Sequence, residues 1–180
     1  ELVEGQTKEL NLAFDMNHSI EDYLKVIEGK TASLIRTSAR LGALASNADN
    51  EIVDAISNWG WYCGIIFQIS DDILDLTSDS ETLGKPTGND IIEGTYTLPV
   101  LIALESDKSK YQELINSVHE GKSNIESLLN EFSNNNIIEK SKDLIYSYHS
   151  KSVESIYNLK NHGLFPTLEN INNYLINRTS

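Results

Sequence analysis

Phe67-Gln68-Ile69-Ser70-Asp71-Asp72-Ile73-Leu74-Asp75 places three carboxylates within little more than one helical turn of an otherwise apolar run. At 3.6 residues per turn, Asp71 and Asp75 stand at i and i+4 on one face. Asp72 flanks them and Gln68 lies one turn earlier on the same side, so all four can reach one ligand. Ionised carboxylates this close repel one another and need a compensating charge. Their hard oxygens suit Mg²⁺, which takes one or two carboxylates, keeps several waters and bridges to substrate phosphates. A solvated acidic helix face is the alternative. The flanking Trp59, Trp61, Tyr62, Ile65, Ile66, Phe67, Ile69, Ile73 and Leu74 have the bulk of a core, which predicts that the acids line a cleft.

Downstream, Gly84-Lys85-Pro86-Thr87-Gly88-Asn89-Asp90-Ile91-Ile92-Glu93-Gly94-Thr95-Tyr96-Thr97-Leu98-Pro99 frames a lysine with glycines. Lys85 is a compact cation suited to oxygen anions, and the glycines permit close backbone approach. The segment is not a Walker loop, because the spacing and a preceding strand are both lacking. An ordinary inter-helix loop is the other reading. Upstream, Tyr23 to Leu34 puts Lys30 and Thr31 beside Gly29 in mid-helix, where glycine costs about 0.5–1 kcal/mol relative to alanine. Something must come close to the backbone there, and helix packing is the simplest candidate. Taken alone, Lys30 also reads as a surface lysine.

In this order the three segments resemble the C-terminal half of the trans-type isoprenyl diphosphate synthases, the polyprenyl synthetase family, including its medium- and long-chain, heptaprenyl-type members. Gly5-Gln6 resembles the family's glycine-glutamine element and Lys30-Thr31 its lysine-threonine pair. Phe67-Gln68 with Asp71, Asp72 and Asp75 resembles the second aspartate-rich motif. Lys85, Gly88 and Asp90 resemble the element after it, and Thr97-Leu98-Pro99 closes the pattern. The resemblance runs to about Leu104.

It implies an all-α fold, an antiparallel helical bundle of the isoprenoid synthase type, with residues 1–180 forming the C-terminal part of one domain that is incomplete at its N-terminus. It also implies Mg²⁺-dependent condensation of isopentenyl diphosphate with an allylic diphosphate. Asp71, Asp72 and Asp75 would hold the metal; Lys30, Thr31, Gln68 and Lys85 would contact the diphosphate, Lys30 also acting in catalysis. The leaving pyrophosphate serves as base, in keeping with the lack of a histidine near these motifs. Two departures stand out. Thr95 occupies a position where many members carry lysine, and no other Asp-Asp-x-x-Asp occurs, so the first aspartate motif is absent. The chain begins at Glu1 and in mid-helix, so a processed or truncated product is expected, inactive without its missing half or a partner. Family habit implies a homodimer or a heteromer with another synthase chain. A class I terpene synthase is the runner-up, although its second metal motif normally mixes Asn, Ser or Thr and Glu. A noncatalytic helical subunit is the third reading.

The remaining composition fits a cytoplasmic helical domain. A net charge of −13 and a pI near 4.6 argue against nucleic acid and anionic membrane surfaces. The single Cys63 excludes an internal disulfide and reads as a buried thiol, and the four histidines show no metal-ligand spacing. No transmembrane run or signal peptide is visible. Ser19-x-x-Asp22 predicts a helix start, with apolar periodicity from Tyr23 to about Ser46. A long helix is predicted from Asp49 or Asn50 to about Leu76, with Gly60 and Gly64 admitting a close neighbour. A short helix is predicted over Thr97 to Leu104. Three polar helices follow between Lys108 and Leu159, broken near Gly121 and Asn134 to Asn136, and a terminal helix follows Pro166. No strand is expected.

Overall fold

The computed structural model describes residues 1–78 and 87–178, which form helices and the turns joining them, with no strand among the described residues. Helix α1 spans Leu2–Asn11 and α2 spans Ile20–Ile27. A capping box starts α2: the Ser19 hydroxyl accepts from the Asp22 N–H, and the Asp22 carboxylate accepts from the Ser19 N–H, each at 3.1 Å. The predicted uninterrupted helix to Ser46 does not occur. After α2 the backbone widens into a π turn, Glu28–Ala32, before α3 runs from Ser33 to Ala45. Such a turn inserts an extra residue into the helical register.

The π turn lies where two neighbours press on its backbone. A Cβ on Gly5 of α1 would sit 2.5 Å from the Lys30 nitrogen, and one on Gly29 would sit 3.1 Å from the Gly5 Cα. On the other side is α4, Asn50–Thr77, where a Cβ on Gly64 would fall 2.5 Å from the Ala32 Cα. Gly60 makes a similar contact with α3, its notional Cβ meeting the Ala39 methyl at 2.9 Å. The paired glycines thus admit a close neighbour, as the sequence predicts. A four-residue connection makes α3 and α4 antiparallel neighbours.

Helix α4 is the centre of the molecule. Its buried residues include Val53, Ile56, Trp59, Cys63, Ile66, Ile69, Ile73 and Leu76, which point in every direction, as expected of a helix enclosed by others. The chain continues through the single-turn α5, Asn89–Ile92, to α6, Leu98–Ser106, which carries Pro99 in its first turn. Helices α7, Lys108–His119, α8, Ile125–Asn134, and α9, Ile137–Ser155, match the three predicted polar helices. They break at Gly121 and Asn136, both with positive φ. Helix α10, Phe165–Asn177, holds Pro166 within its first turn, where a missing N–H costs nothing, so Pro166 does not stand ahead of the helix as predicted. Helix α9 also packs along α4. One amide joins three of these helices: the Asn172 side-chain oxygen on α10 accepts from Trp59 Nε1 at 3.0 Å, Cys63 Sγ at 3.2 Å and Ser152 Oγ at 3.0 Å. No helix among the described residues is long and apolar enough to cross a membrane.

These contacts set two expectations. Gly64→Ala should cost about 1–3 kcal/mol by forcing α4 off the π turn, whereas Gly42→Ala, with nothing within 4 Å, should gain about 0.5–1 kcal/mol. Urea unfolding of the two variants checks this, and equal stabilities would refute the close-packing account. Burial pushes the Cys63 thiol up to about 12, against a smaller opposing effect from Ser152. At pH 8 only on the order of one thiol in 10⁴ is thiolate, so iodoacetamide should modify Cys63 only as the protein unfolds.

Candidate active site

A buried polar chain crosses from α2 to α4. The Tyr23 hydroxyl donates to Asp72 Oδ2 at 2.6 Å, Gln68 Nε2 donates to Asp72 Oδ1 at 3.0 Å, and Thr31 Oγ1 donates to Gln68 Oε1 at 2.6 Å. Thr31, on the π turn, thereby orients the Gln68 amide, and Gln68 with Tyr23 fixes the Asp72 carboxylate. Burial pushes Asp72 up to about 7, with the two hydrogen bonds pulling it down and the charges of Asp90 and Asp71 adding to the rise. The Tyr23 phenol is held well above its ordinary range, first by burial and then by Asp72.

Two ion pairs flank this chain. Lys30 Nζ donates to both oxygens of Glu9 on α1, at 2.7 and 2.8 Å. Gln6 braces Glu9 by donating to Oε2 at 2.8 Å. On the other side, Arg178 Nη2 donates to Asp71 Oδ1 at 2.6 Å, and the guanidinium lies 4.6 Å from the centre of the Phe67 ring. A cavity of about 350 Å³ opens between the pairs, and five carboxylates line it: Glu9, Asp71, Asp72, Asp90 and Glu93. Lys30, Gln68, Thr95 and Thr97 complete the lining.

The structure therefore gathers Lys30, Gln68, Asp71 and Asp72 around one space. Thr31 stands behind Gln68 and does not line the cavity. Asp75 does not line it either: it is 2 % exposed, and the turn before α5 folds onto it, with the Gly88 N–H donating to its backbone oxygen at 2.8 Å and the Asp90 N–H to Oδ2 at 3.3 Å. Thr95 lines the cavity, and its N–H donates to the Asp90 carbonyl at 2.8 Å. Lys85 lies outside the described residues.

The donor set fits a hard divalent cation. Among the described residues, carboxylate oxygens outnumber cationic side chains around the cavity, and no thiol or imidazole lines it. No three acidic, histidine or cysteine side chains among the described residues already converge as a closed ligand shell. An ion taking one or two carboxylates and completing its shell with water and phosphate oxygens needs no such convergence.

Several residues of the site escape a reading of the sequence. Tyr23 reads only as an apolar helix position, yet it holds Asp72. Glu9 follows Gly5 by one helical turn, so an acid beside the glycine-glutamine element is the one signal available for it. Arg178 lies 107 positions from its partner Asp71, and nothing local announces the contact.

Comparison with known proteins agrees with this architecture. Residues 1–133 match the family model described as Polyprenyl synthetase, and the chain belongs to that family. It is 39 % identical over 156 residues to heptaprenyl diphosphate synthase component 2 of Bacillus subtilis, covering 86 % of this chain and 44 % of that protein. Nonaprenyl diphosphate synthase of Mycobacterium tuberculosis is 43 % identical over 119 residues, 64 % of this chain and 36 % of that protein. Among solved structures, heptaprenyl diphosphate synthase from Staphylococcus aureus superposes with a TM-score of 0.90 at 28 % identity, over 99 % of this chain and 57 % of that one. A polyprenyl synthase from Caulobacter crescentus, complexed with calcium and isoprenyl diphosphate, superposes at 0.87 with 26 % identity, over 99 % and 56 %. The chain thus spans about half the length of the relatives it matches, and its fold is the all-α fold of polyprenyl synthases.

The Tyr23 contact can be isolated by mutation. Tyr23→Phe should cost about 1–3 kcal/mol, because it strips a donor from a buried carboxylate. The same change in an Asp72→Asn background should cost less, and a coupling energy of zero in the double-mutant cycle would contradict the hydrogen bond.

Proposed function

We propose that this chain is the C-terminal part of a single isoprenoid synthase domain and forms the diphosphate-holding half of a prenyltransferase site, which condenses isopentenyl diphosphate with an allylic diphosphate. One observation carries this reading: Lys30, Gln68, Asp71 and Asp72 converge on one acid-lined cavity of about 350 Å³, and a narrow recess of about 30 Å³ that reaches Leu12, Val26 and Ile27 shares its Glu9, Gln68, Asp72, Thr95 and Thr97. The larger cavity suits a charged head group bound together with a hard cation. The Caulobacter neighbour, complexed with calcium and isoprenyl diphosphate, supports the same pairing of divalent cation and ligand.

Asp71, with Asp72 facing the same cavity and Asp75 fixing the turn behind them, would hold Mg²⁺, which when bound would supply charge stabilisation for the departing pyrophosphate. Lys30 exchanges its contact with Glu9 for a phosphate oxygen, as a compact ammonium can do. Gln68, held by Thr31, presents its fixed amide to the same group. The bond between the allylic carbon and oxygen breaks, the alkene of isopentenyl diphosphate forms the new carbon–carbon bond, and a proton passes to the leaving pyrophosphate. In the complete site, apolar surface at Leu12, Val26 and Ile27 helps to exclude water from the allylic cation. The other half of the site comes from the rest of the domain or from a partner chain, in a homodimer or a two-chain enzyme. The Bacillus relative is itself named as a component.

The test is incorporation of labelled isopentenyl diphosphate by the complete assembly. Asp71→Ala and Lys30→Ala should each lower the rate by about 10²-fold or more with helicity unchanged, EDTA should abolish it, and Mg²⁺ should restore it. The 180-residue chain alone should show none. Unchanged activity in Asp71→Ala would instead favour a noncatalytic helical subunit.

A further inference from the structure

Within the aspartate-rich run, the three acids differ sharply in what an incoming cation could reach. Asp72 is 4 % exposed, with one oxygen accepting a buried hydrogen bond from Tyr23 and the other a partly buried one from Gln68, and Asp75 is 2 % exposed and holds the turn before α5. The Asp71 side chain is 37 % exposed, so it is the carboxylate open to the cavity without dismantling buried contacts. That carboxylate already has a cation: Arg178, at the end of α10, holds Oδ1 at 2.6 Å while stacking on Phe67, one helical turn before Asp71.

Helix α10 does not depend on this contact for its place. Leu168, Asn172 and Leu175 are buried, and Asn172 ties the helix to α4 and α9 through three hydrogen bonds. Near its end Leu175 is buried, Ile176 packs against the core and the Ser70 hydroxyl reaches the Leu175 carbonyl at 3.5 Å; beyond them Arg178 grips α4. The end of this turn, past Ile176, is therefore the part that can detach while the body of the helix stays docked.

We infer that Arg178 is a counter-ion latch: it neutralises Asp71 while the cavity holds no divalent cation, and cation binding at Asp71 releases the end of the last turn of α10, past Ile176. Metal occupancy and the position of this turn are coupled, and by reciprocity whatever holds the turn down weakens the metal. Arg178 is thus a positioning residue, which acts on the reaction through Asp71. The inference rests on the assignment of Asp71 to the metal made above.

The test is Mn²⁺ binding followed by electron paramagnetic resonance, together with hydrogen exchange of the segment 170–178, on wild type, Arg178→Gln, Arg178→Lys and Asp71→Asn. In wild type, Mn²⁺ should speed exchange in the last turn and leave the amides around Asn172 protected. Arg178→Gln should show that faster exchange without metal and bind Mn²⁺ roughly three- to ten-fold more tightly, because no internal cation competes. Arg178→Lys should fall between wild type and Arg178→Gln. Asp71→Asn should free the turn without metal. Tight Mn²⁺ binding with unchanged exchange, or an Arg178→Gln affinity equal to or weaker than wild type, overturns the latch and leaves the proposed function standing. Failure of Mn²⁺ to bind any variant overturns both.

Discussion

Backbone-to-backbone contact at the π turn is the constraint on which the rest of this molecule depends. Gly5 of α1 presses on the Lys30 nitrogen from one side, and Gly64 of α4 presses on Ala32 from the other. A single methyl group at either glycine would occupy space that the opposing backbone already fills. This clamp fixes where Lys30 and Thr31 leave the chain, and hence that Lys30 meets Glu9 while Thr31 meets Gln68. The glycines lower intrinsic helix stability, and the packing they permit offsets that loss.

Around that clamp, the polar groups that a diphosphate and its metal would need are held in advance by internal partners. Lys30 rests on Glu9, Asp71 on Arg178, and Asp72 on Tyr23 and Gln68. Partly buried ion pairs of this kind contribute modest net stability, because desolvation offsets most of the attraction, so they can be exchanged for a ligand at small cost. The hydrogen bonds to Asp72 are different. The Tyr23 bond is buried and the Gln68 bond partly so, and together they hold the carboxylate in place at the cavity wall. Substrate and metal would thus replace the ion pairs and leave the hydrogen-bonded chain intact.

Much of this was legible from residue order. The apolar flanks of Asp71, Asp72 and Asp75 forecast a buried helix that carries acids into a cleft, and α4 is such a helix. Gly60 and Gly64 forecast a close neighbour, and Ser19-x-x-Asp22 the start of α2. The sequence did not disclose the π turn, since apolar spacing across Tyr23 to Leu44 fits a regular helix almost as well as one with an inserted residue. It also suggested that the three aspartates act as equals. Packing divides them, leaving Asp71 open to the cavity, Asp72 enclosed and Asp75 engaged with the turn at Gly88 to Asp90.

The amino-acid order by itself determined the helical class, the central helix and the family resemblance. Those features arise from local periodicity and from motifs a few residues long, which are written directly in the chain. Tertiary structure alone decided that Glu9 holds Lys30, that Tyr23 holds Asp72 and that Arg178 reaches Asp71 across 107 positions. Pairings of that kind depend on which helix faces meet, and helix faces meet through the summed shape of the core, which no local pattern records.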